Sequence, residues 1–273
     1  MIVGGRVGMK TCLVCIARKE NPYLREWVEW HLGIGFSKVV VCDNGFGNEA
    51  SPTEAIGDYA ERGVVDIVDM KGQKFVQAKA YTECYSKYGG CYDWIAFFDV
   101  DEFLVLPMDG DVRRFLGRFP KDAQLVSVNW QIMTDGGLLR NDGRKVMERF
   151  VVPMEKFRQI HYGFPENRHV KPIVRGGIER VEFCNPHAPK TKLVAYHSNF
   201  KRESQGYFHD IDWSNAILRH FVTKTIEEWC LCKIPRQDPL NPRRKYTLDE
   251  FFMYNERTAE KMKVAEEVLG RNG

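Results

Sequence analysis

The first hundred residues alternate short apolar runs with amphipathic stretches, and that alternation restricts the chain more than any other feature. Thr11–Ala17 (TCLVCIA) reads as a buried strand, Lys38–Cys42 (KVVVC) as a second, Val64–Val68 as a third and Trp94–Phe98 as a fourth. Helical segments lie between them. One opens at Asn21-Pro22, with Asn as N-cap and Pro at the first helical position, and Gly33 and Gly35 close it. Pro52–Arg62 and Val76–Tyr88 are the next two. Strands separated by helices predict βαβ units and a parallel sheet, whose ligands bind beyond the carboxyl ends of the strands.

The second half is less regular. Gln124–Trp130 reads as a strand, followed by the Gly-rich loop Thr134-Asp-Gly-Gly137. Val146–Val152 and Lys171–Val174 are further strand candidates, and the stretches 160–170 and 183–191 read as loops. Lys233–Lys245, with three prolines and five basic residues, reads as an exposed, mobile segment. Leu248–Leu269 reads as a closing helix.

Charge and composition exclude several classes. The 273 residues carry 40 Lys and Arg against 37 Asp and Glu, a net charge of +3, with none of the concentrated basic footprint of a nucleic-acid binder. No apolar run approaches the roughly 20 residues of a membrane span. The opening Met1–Lys10 lacks the apolar centre of a signal peptide, so it reads as a flexible lead-in with Met9 a second candidate start. A soluble cytoplasmic protein is expected. Cys12 and Cys15 have the spacing of a metal-binding pair, but three residues apart on a strand they point to opposite faces. The eight cysteines are read as reduced structural thiols.

The stretch that carries chemistry is Asp93–Leu104, "DWIAFFDVDEFL", an apolar strand that ends in Asp99, Asp101 and Glu102. If the segment stays extended, Asp99 and Asp101 point to one side. Carboxylates set this way suit Mg²⁺ or Mn²⁺, ions that bridge a few protein oxygens to substrate phosphates. Three acids within four residues also need a positive partner, which the sequence alone does not identify. Asp43, at the end of the second strand, falls on the same side of the sheet.

"DWIAFFDVDEFL" resembles the D-x-D segment of GT-A-fold glycosyltransferases, specifically the family 92 and family 2-like group. "CIARKENPYLREWVEWHLGIGFSKVVVCDN" (Cys15–Asn44) is similar to that group's opening strand, helix and second strand, and "QAKAYTECY" (Gln77–Tyr85) to its helix before the D-x-D. "RHVKPIVR" (Arg168–Arg175), "NPH" (Asn185–His187) and "RHFVTKTIEEW" (Arg219–Trp229) resemble later elements. The resemblance spans about residues 11–235. It implies a single GT-A domain over 11–273: a nucleotide-binding half over 11–105, an acceptor half over 106–235, then the basic segment and last helix. It also implies transfer of a sugar from a nucleotide-diphosphate donor, a UDP-sugar first, to a glycan or lipid-linked acceptor hydroxyl, with inversion. Mn²⁺ or Mg²⁺ would assist, and bacterial surface-glycan synthesis is the process suggested. The same resemblance supplies residue roles. Asp101 would bind the metal, joined by Asp99 and by His220. Asp99 would also face the donor's ribose. Asp43, Arg18 and Glu20 would line the base and ribose pocket, with Gln77 as a further donor contact. Lys171 and Lys224 would sit near the diphosphate.

One departure matters. The Glu-Asp pair whose Asp deprotonates the acceptor in family 2 enzymes does not occur anywhere after Leu104. Asp135 in the Gly-rich loop is the first candidate for the base, Glu102 the second and Glu166 the third. Trp130 and the stretch 160–164 are candidates for stacking on a sugar. Two alternatives stay open: a sugar-nucleotide-binding protein of this fold without turnover, and a D-x-D phosphotransferase. The basic Lys233–Lys245 segment adds an expected peripheral contact with the inner face of a membrane.

Overall fold

The computed structural model describes residues 8–74, 76–161, 163–236 and 246–270. In chain order the elements are β1 (Thr11–Ala17), α1 (Asn21–Gly33), β2 (Lys38–Asp43), α2 (Pro52–Glu61), β3 (Val65–Asp69), α3 (Gln77–Tyr88), β4 (Trp94–Phe97) and β5 (Glu102–Val105). Then follow α4 (Val112–Gly117), β6 (Leu125–Ile132), α5 (Val146–Arg149), β7 (Val170–Arg175), β8 (Ala195–His197), β9 (Arg202–Glu203) and β10 (Ile217–His220). The chain ends with α6 (Ile226–Glu228), a π turn over Trp229–Lys233, α7 (Leu248–Tyr254) and α8 (Ala259–Gly270). Two compact units result: Met1–Trp130 with Arg168–Arg219, and Gln131–Asn167 with His220–Gly273.

The fold is α/β, built on a mixed, mostly parallel sheet. Its strand order is β3-β2-β1-β4-β7-β6-β10-β5, with β8 and β9 branching from β6. The segment β3-β2-β1-β4 is parallel throughout, and β7 pairs antiparallel with both β4 and β6. Residues Cys12–Cys15 and Val39–Cys42 are all fully buried, as expected for strands covered on both faces. One cover is α3. Its buried residues Ala80, Tyr81, Cys84, Tyr85 and Tyr88 recur at helical spacing and share a core cluster with Cys12, Val14, Val40 and Cys42.

The other relevant contact is between α1 and β5. The Trp27 indole N–H donates to the Glu102 carbonyl at 2.7 Å, and that of Trp30 to the Leu104 carbonyl at 2.8 Å. His31 closes the pattern: Nδ1 lies 2.8 Å from the Trp27 carbonyl, and Nε2 lies 3.3 Å from the Leu104 amide. The ring therefore donates through Nδ1 and accepts through Nε2, which requires the neutral form. Burial pushes its pKa down to about 3, only partly opposed by the bond to Trp27. An unfolded chain protonates this histidine near pH 6.5, whereas the folded one resists to about 3. Its contribution is therefore fully present above 6.5 and is lost as pH falls. Urea unfolding is expected to show a His31→Gln variant losing less stability per pH unit below 6.5 than the parent, by up to about 1.4 kcal/mol. Equal slopes would show that His31 is protonated in the fold.

Three local expectations change. The Asn21 side chain does not cap α1; its amide donates to the Ser51 carbonyl at 2.8 Å, and Glu20 holds the cap position. Val146–Val152 is not a strand. Val146–Arg149 is a helical turn that buries Arg149 against Glu228, and only the residues after it run extended, with Pro153 bridged to Met133. Leu248–Leu269 is two helices rather than one. Asn255 breaks it with extended backbone, its side-chain Nδ2 donating to the Phe251 carbonyl and its side-chain Oδ1 accepting the Asp135 N–H at 2.7 Å. Most of Lys233–Lys245, and the lead-in before Gly8, lie outside the described residues. No helix among the described residues is long and apolar enough to cross a membrane.

Candidate active site

The acidic group follows β4. Residues 99–102 form a turn rather than continuing the strand, so strand alternation does not govern where Asp99 and Asp101 point. The Glu102 amide donates to the Asp99 carbonyl at 3.0 Å, and the Glu102 carboxylate accepts the Asp99 amide at 2.8 Å. The turn is thus closed twice by the same two residues. Glu102 is fully buried; its other oxygen accepts the Trp130 indole N–H at 2.8 Å.

The positive partner is Lys171. This side chain enters from β7 with none of its surface exposed and donates from Nζ to Asp99 Oδ2 at 2.8 Å, with Glu102 Oε2 at 3.4 Å. Burial alone would lower its pKa, but the Asp99 and Glu102 carboxylates outweigh it and hold the ammonium above its ordinary range. Glu102 is pushed well above the usual carboxylate range by burial, with Lys171 pulling the other way.

Asp99 Oδ1 is held from α3. Gln77 Nε2 donates to it at 2.7 Å and the Tyr81 hydroxyl at 3.2 Å; the two side chains also touch each other at 3.1 Å. Their one-turn spacing on the helix lets both reach the same oxygen. Asp101, in the same turn, is 6% exposed.

A second group stands at the ends of β1 and β2. Asp43, 3% exposed, accepts the Gly45 amide at 3.0 Å and the Ser51 hydroxyl at 3.1 Å, with Lys71 Nζ at 3.4 Å. Asn44 ties this turn to the carbonyls of Met70 and Gln73. Arg18 grips Glu49 with two bonds of 3.0 and 3.1 Å and lies 4.3 Å from the Phe46 ring centroid. Glu20 is buried at the head of α1.

The remaining candidates belong to the second unit. His220 ends β10 and is buried; Lys224 is buried and adopts φ +55°, a conformation uncommon for a side chain of its size. Asp135 Oδ2 is 2.5 Å from Lys261 Nζ, and Oδ1 accepts the Gly137 amide at 2.9 Å. Glu166 is buried and accepts the His161 amide at 2.8 Å.

Two of the sequence candidates organise the acidic turn itself. Trp130, a candidate for stacking on a sugar, donates its indole N–H to Glu102 and stacks its ring on His169 at 4.7 Å. Lys171, expected near the diphosphate, lies among the acids. Among the described residues no group of three His, Cys, Asp or Glu is arranged to hold a metal ion. The donor set that is present, hard carboxylate oxygens in an acidic turn with one ammonium against three acids, fits a divalent cation completed by substrate oxygens.

In an α/β sheet of this kind ligands bind in the crevice beyond the carboxyl ends of the parallel strands, where these buried acids lie. The sequence profile of glycosyltransferase family 92 matches residues 10–247, and the chain belongs to that family. A glycosyltransferase family 92 protein of Ricinus communis is 26% identical over 104 residues, 35% of this chain and 17% of that protein. Among solved structures, the Pyrobaculum calidifontis mannosyltransferase PcManGT in complex with GDP-Man and Mn²⁺ is 14% identical over 45% of this chain and 36% of its own, at TM-score 0.35. S. aureus TarS 1–349 is 11% identical over 97% of this chain and 72% of its own, at TM-score 0.39. The chain spans about a sixth of the length of the plant relative and about a third of the mannosyltransferase.

Proposed function

We propose that the chain transfers a sugar from a nucleoside-diphosphate donor to an acceptor hydroxyl, using a divalent cation, Mn²⁺ or Mg²⁺, held at Asp101. The observation that carries this reading is the acidic turn at Asp99–Glu102, braced from three sides at the carboxyl end of β4. A cation bound there supplies stabilisation of the charge that develops on the leaving diphosphate. The chain's own residues do the rest. Asp43, with Arg18 and Glu20 beside it, receives the base and ribose beyond β1 and β2. Asp99, fixed by Gln77 and Tyr81, keeps the turn in one conformation as the donor arrives. His220 and Lys224 enter through the family resemblance alone. Glu102, buried against Trp130 and Lys171, positions the turn rather than taking a proton. Asp135 is the first candidate for the base; its ion pair with Lys261 stabilises the ionised carboxylate and so weakens it as a proton acceptor.

The family supports glycosyl transfer; a UDP-sugar donor, inversion at the anomeric carbon, a glycan or lipid-linked acceptor at a membrane's inner face and a place in bacterial surface-glycan synthesis complete the proposal. A thermal-shift series with UDP, GDP and CDP, each with Mn²⁺ and then with EDTA, tests it. A nucleotide present at 100 times its Kd adds about 2.7 kcal/mol. The expected result is a metal-dependent shift with one of the three. No shift with any of them overturns the proposal.

A further inference from the structure

We propose that the Nε2 atom of His187 accepts a hydrogen bond from a hydroxyl of the donor's sugar, so that His187 distinguishes a sugar nucleotide from the bare nucleotide. This assignment rests on the proposed function and extends it to the sugar. His187 and every residue used to place it belong to the first compact unit.

The loop 184–188 fixes where the ring stands. Asn185 Oδ1 accepts the amides of His187 and Ala188 at 2.8 and 3.2 Å, which sets the turn of the backbone. His187 Nδ1 then lies 2.9 Å from the Val170 carbonyl. A carbonyl only accepts, so Nδ1 carries the proton and Nε2 the lone pair. The rings of Trp130 and His169 flank His187 at centroid distances of 5.2 and 5.1 Å. Trp130 holds Glu102, and Val170 precedes Lys171, which holds Asp99. The imidazole therefore stands against the braces of the acidic turn.

Its chemistry selects the partner. Burial lowers the pKa of His187 to about 3; Lys171 and His169 act in the same direction, and the Val170 bond and Asp99 oppose them. The ring is thus neutral at physiological pH, with its one N–H spent on Val170. Among the described residues nothing donates to Nε2, and the side chain is only partly buried. An ionised diphosphate offers acceptor oxygens and no proton, so it cannot pair with this lone pair. A sugar hydroxyl donates and can. The site therefore favours the part of a sugar nucleotide that carries hydroxyls, beside the turn proposed to receive the diphosphate.

Two substitutions separate the ring's nitrogens. The amide of His187→Asn can still donate to Val170 from about where Nδ1 stood, but the Nε2 acceptor is gone. The longer His187→Gln puts a carbonyl oxygen about where Nε2 stood and loses the Val170 bond. Calorimetry with Mn²⁺ measures the binding of UDP, GDP and CDP, and of UDP-glucose, UDP-N-acetylglucosamine, GDP-mannose and CDP-glucose, with thermal melts as the check on folding. His187→Asn is expected to weaken the bound sugar nucleotide about fivefold and to leave its nucleoside diphosphate within about twofold of the wild type. His187→Gln is expected to melt lower yet keep the ratio of the two affinities within about twofold of the wild type. If His187→Asn does not fold, wild type labelled with ¹⁵N-histidine decides, with Mg²⁺ as the cation. The Nε2 resonance of an Nδ1–H histidine is then expected to move with the sugar nucleotide and not with the nucleoside diphosphate; no such movement overturns the assignment. Equal losses for sugar nucleotide and nucleotide in His187→Asn would put His187 at the diphosphate or the cation, and no loss for either would make it structural; both overturn the assignment. A wild type that binds a nucleotide but none of its sugar derivatives overturns this assignment alone. One that binds no nucleotide overturns the proposed function, and this assignment with it.

Discussion

Asp101→Asn is expected to lower metal-dependent sugar transfer by about 10²–10³-fold in a protein that still folds. The substitution keeps the side chain's shape and removes its charge. Braces on the turn come from elsewhere: Glu102 closes it onto Asp99, Trp130 holds Glu102, and Gln77, Tyr81 and Lys171 hold Asp99. These braces are expected to keep the turn in place, while the charge proposed to face the leaving diphosphate is lost. Steady-state transfer at saturating donor, alongside a thermal melt, checks both halves. Transfer within threefold of the parent would remove Asp101 from the cation site.

Breaking the buried ion pair of the second unit is the other large effect. Arg149 Nη1 and Nη2 meet the two Glu228 oxygens at 2.9 Å each, with the side chains 1% and 5% exposed. Glu228 also caps its own helix by accepting the Thr225 amide at 3.1 Å and hydroxyl at 2.8 Å. Arg149→Met takes the guanidinium from a buried carboxylate and is expected to cost about 3–5 kcal/mol in urea unfolding. Adding Glu228→Gln removes the stranded charge, keeps the cap's acceptor, and is expected to restore most of the loss. A single variant within about 1 kcal/mol of the parent would mean that the pair is screened as a surface pair is.

What could be read from the sequence follows from which interactions are local. The parallel β1, β2, β3 and β4 announced themselves because strands buried on both faces need uninterrupted apolar residues. The helices between them followed from spacing, with ends within a residue or two of the structure. Asp99, Asp101 and Asp43 were legible because acids directly after such strands fall at their carboxyl ends. The braces were not. Lys171 is 72 residues from Asp99, and Trp130 is 28 from Glu102. One signal was available: a lysine inside the apolar run Val170–Val174, where an unpaired charge cannot be buried. The second half defied periodicity for the same reason. Arg149 sits in a β-prone run, but its ion pair with Glu228, 79 residues away, sets a helical turn there. Asn255 splits the last helix by answering the amide of Asp135, 120 residues away.

The acidic turn is proposed to serve turnover and not binding alone. Release of free nucleoside diphosphate from a panel of UDP-, GDP- and CDP-sugars, with Mn²⁺ and with EDTA, measures it directly. The expected result is release from one donor class that requires the cation and is faster when the acceptor hydroxyl is supplied. Nucleotide binding with Mn²⁺ but no release from any donor would contradict it and leave a sugar-nucleotide-binding protein on a transferase fold.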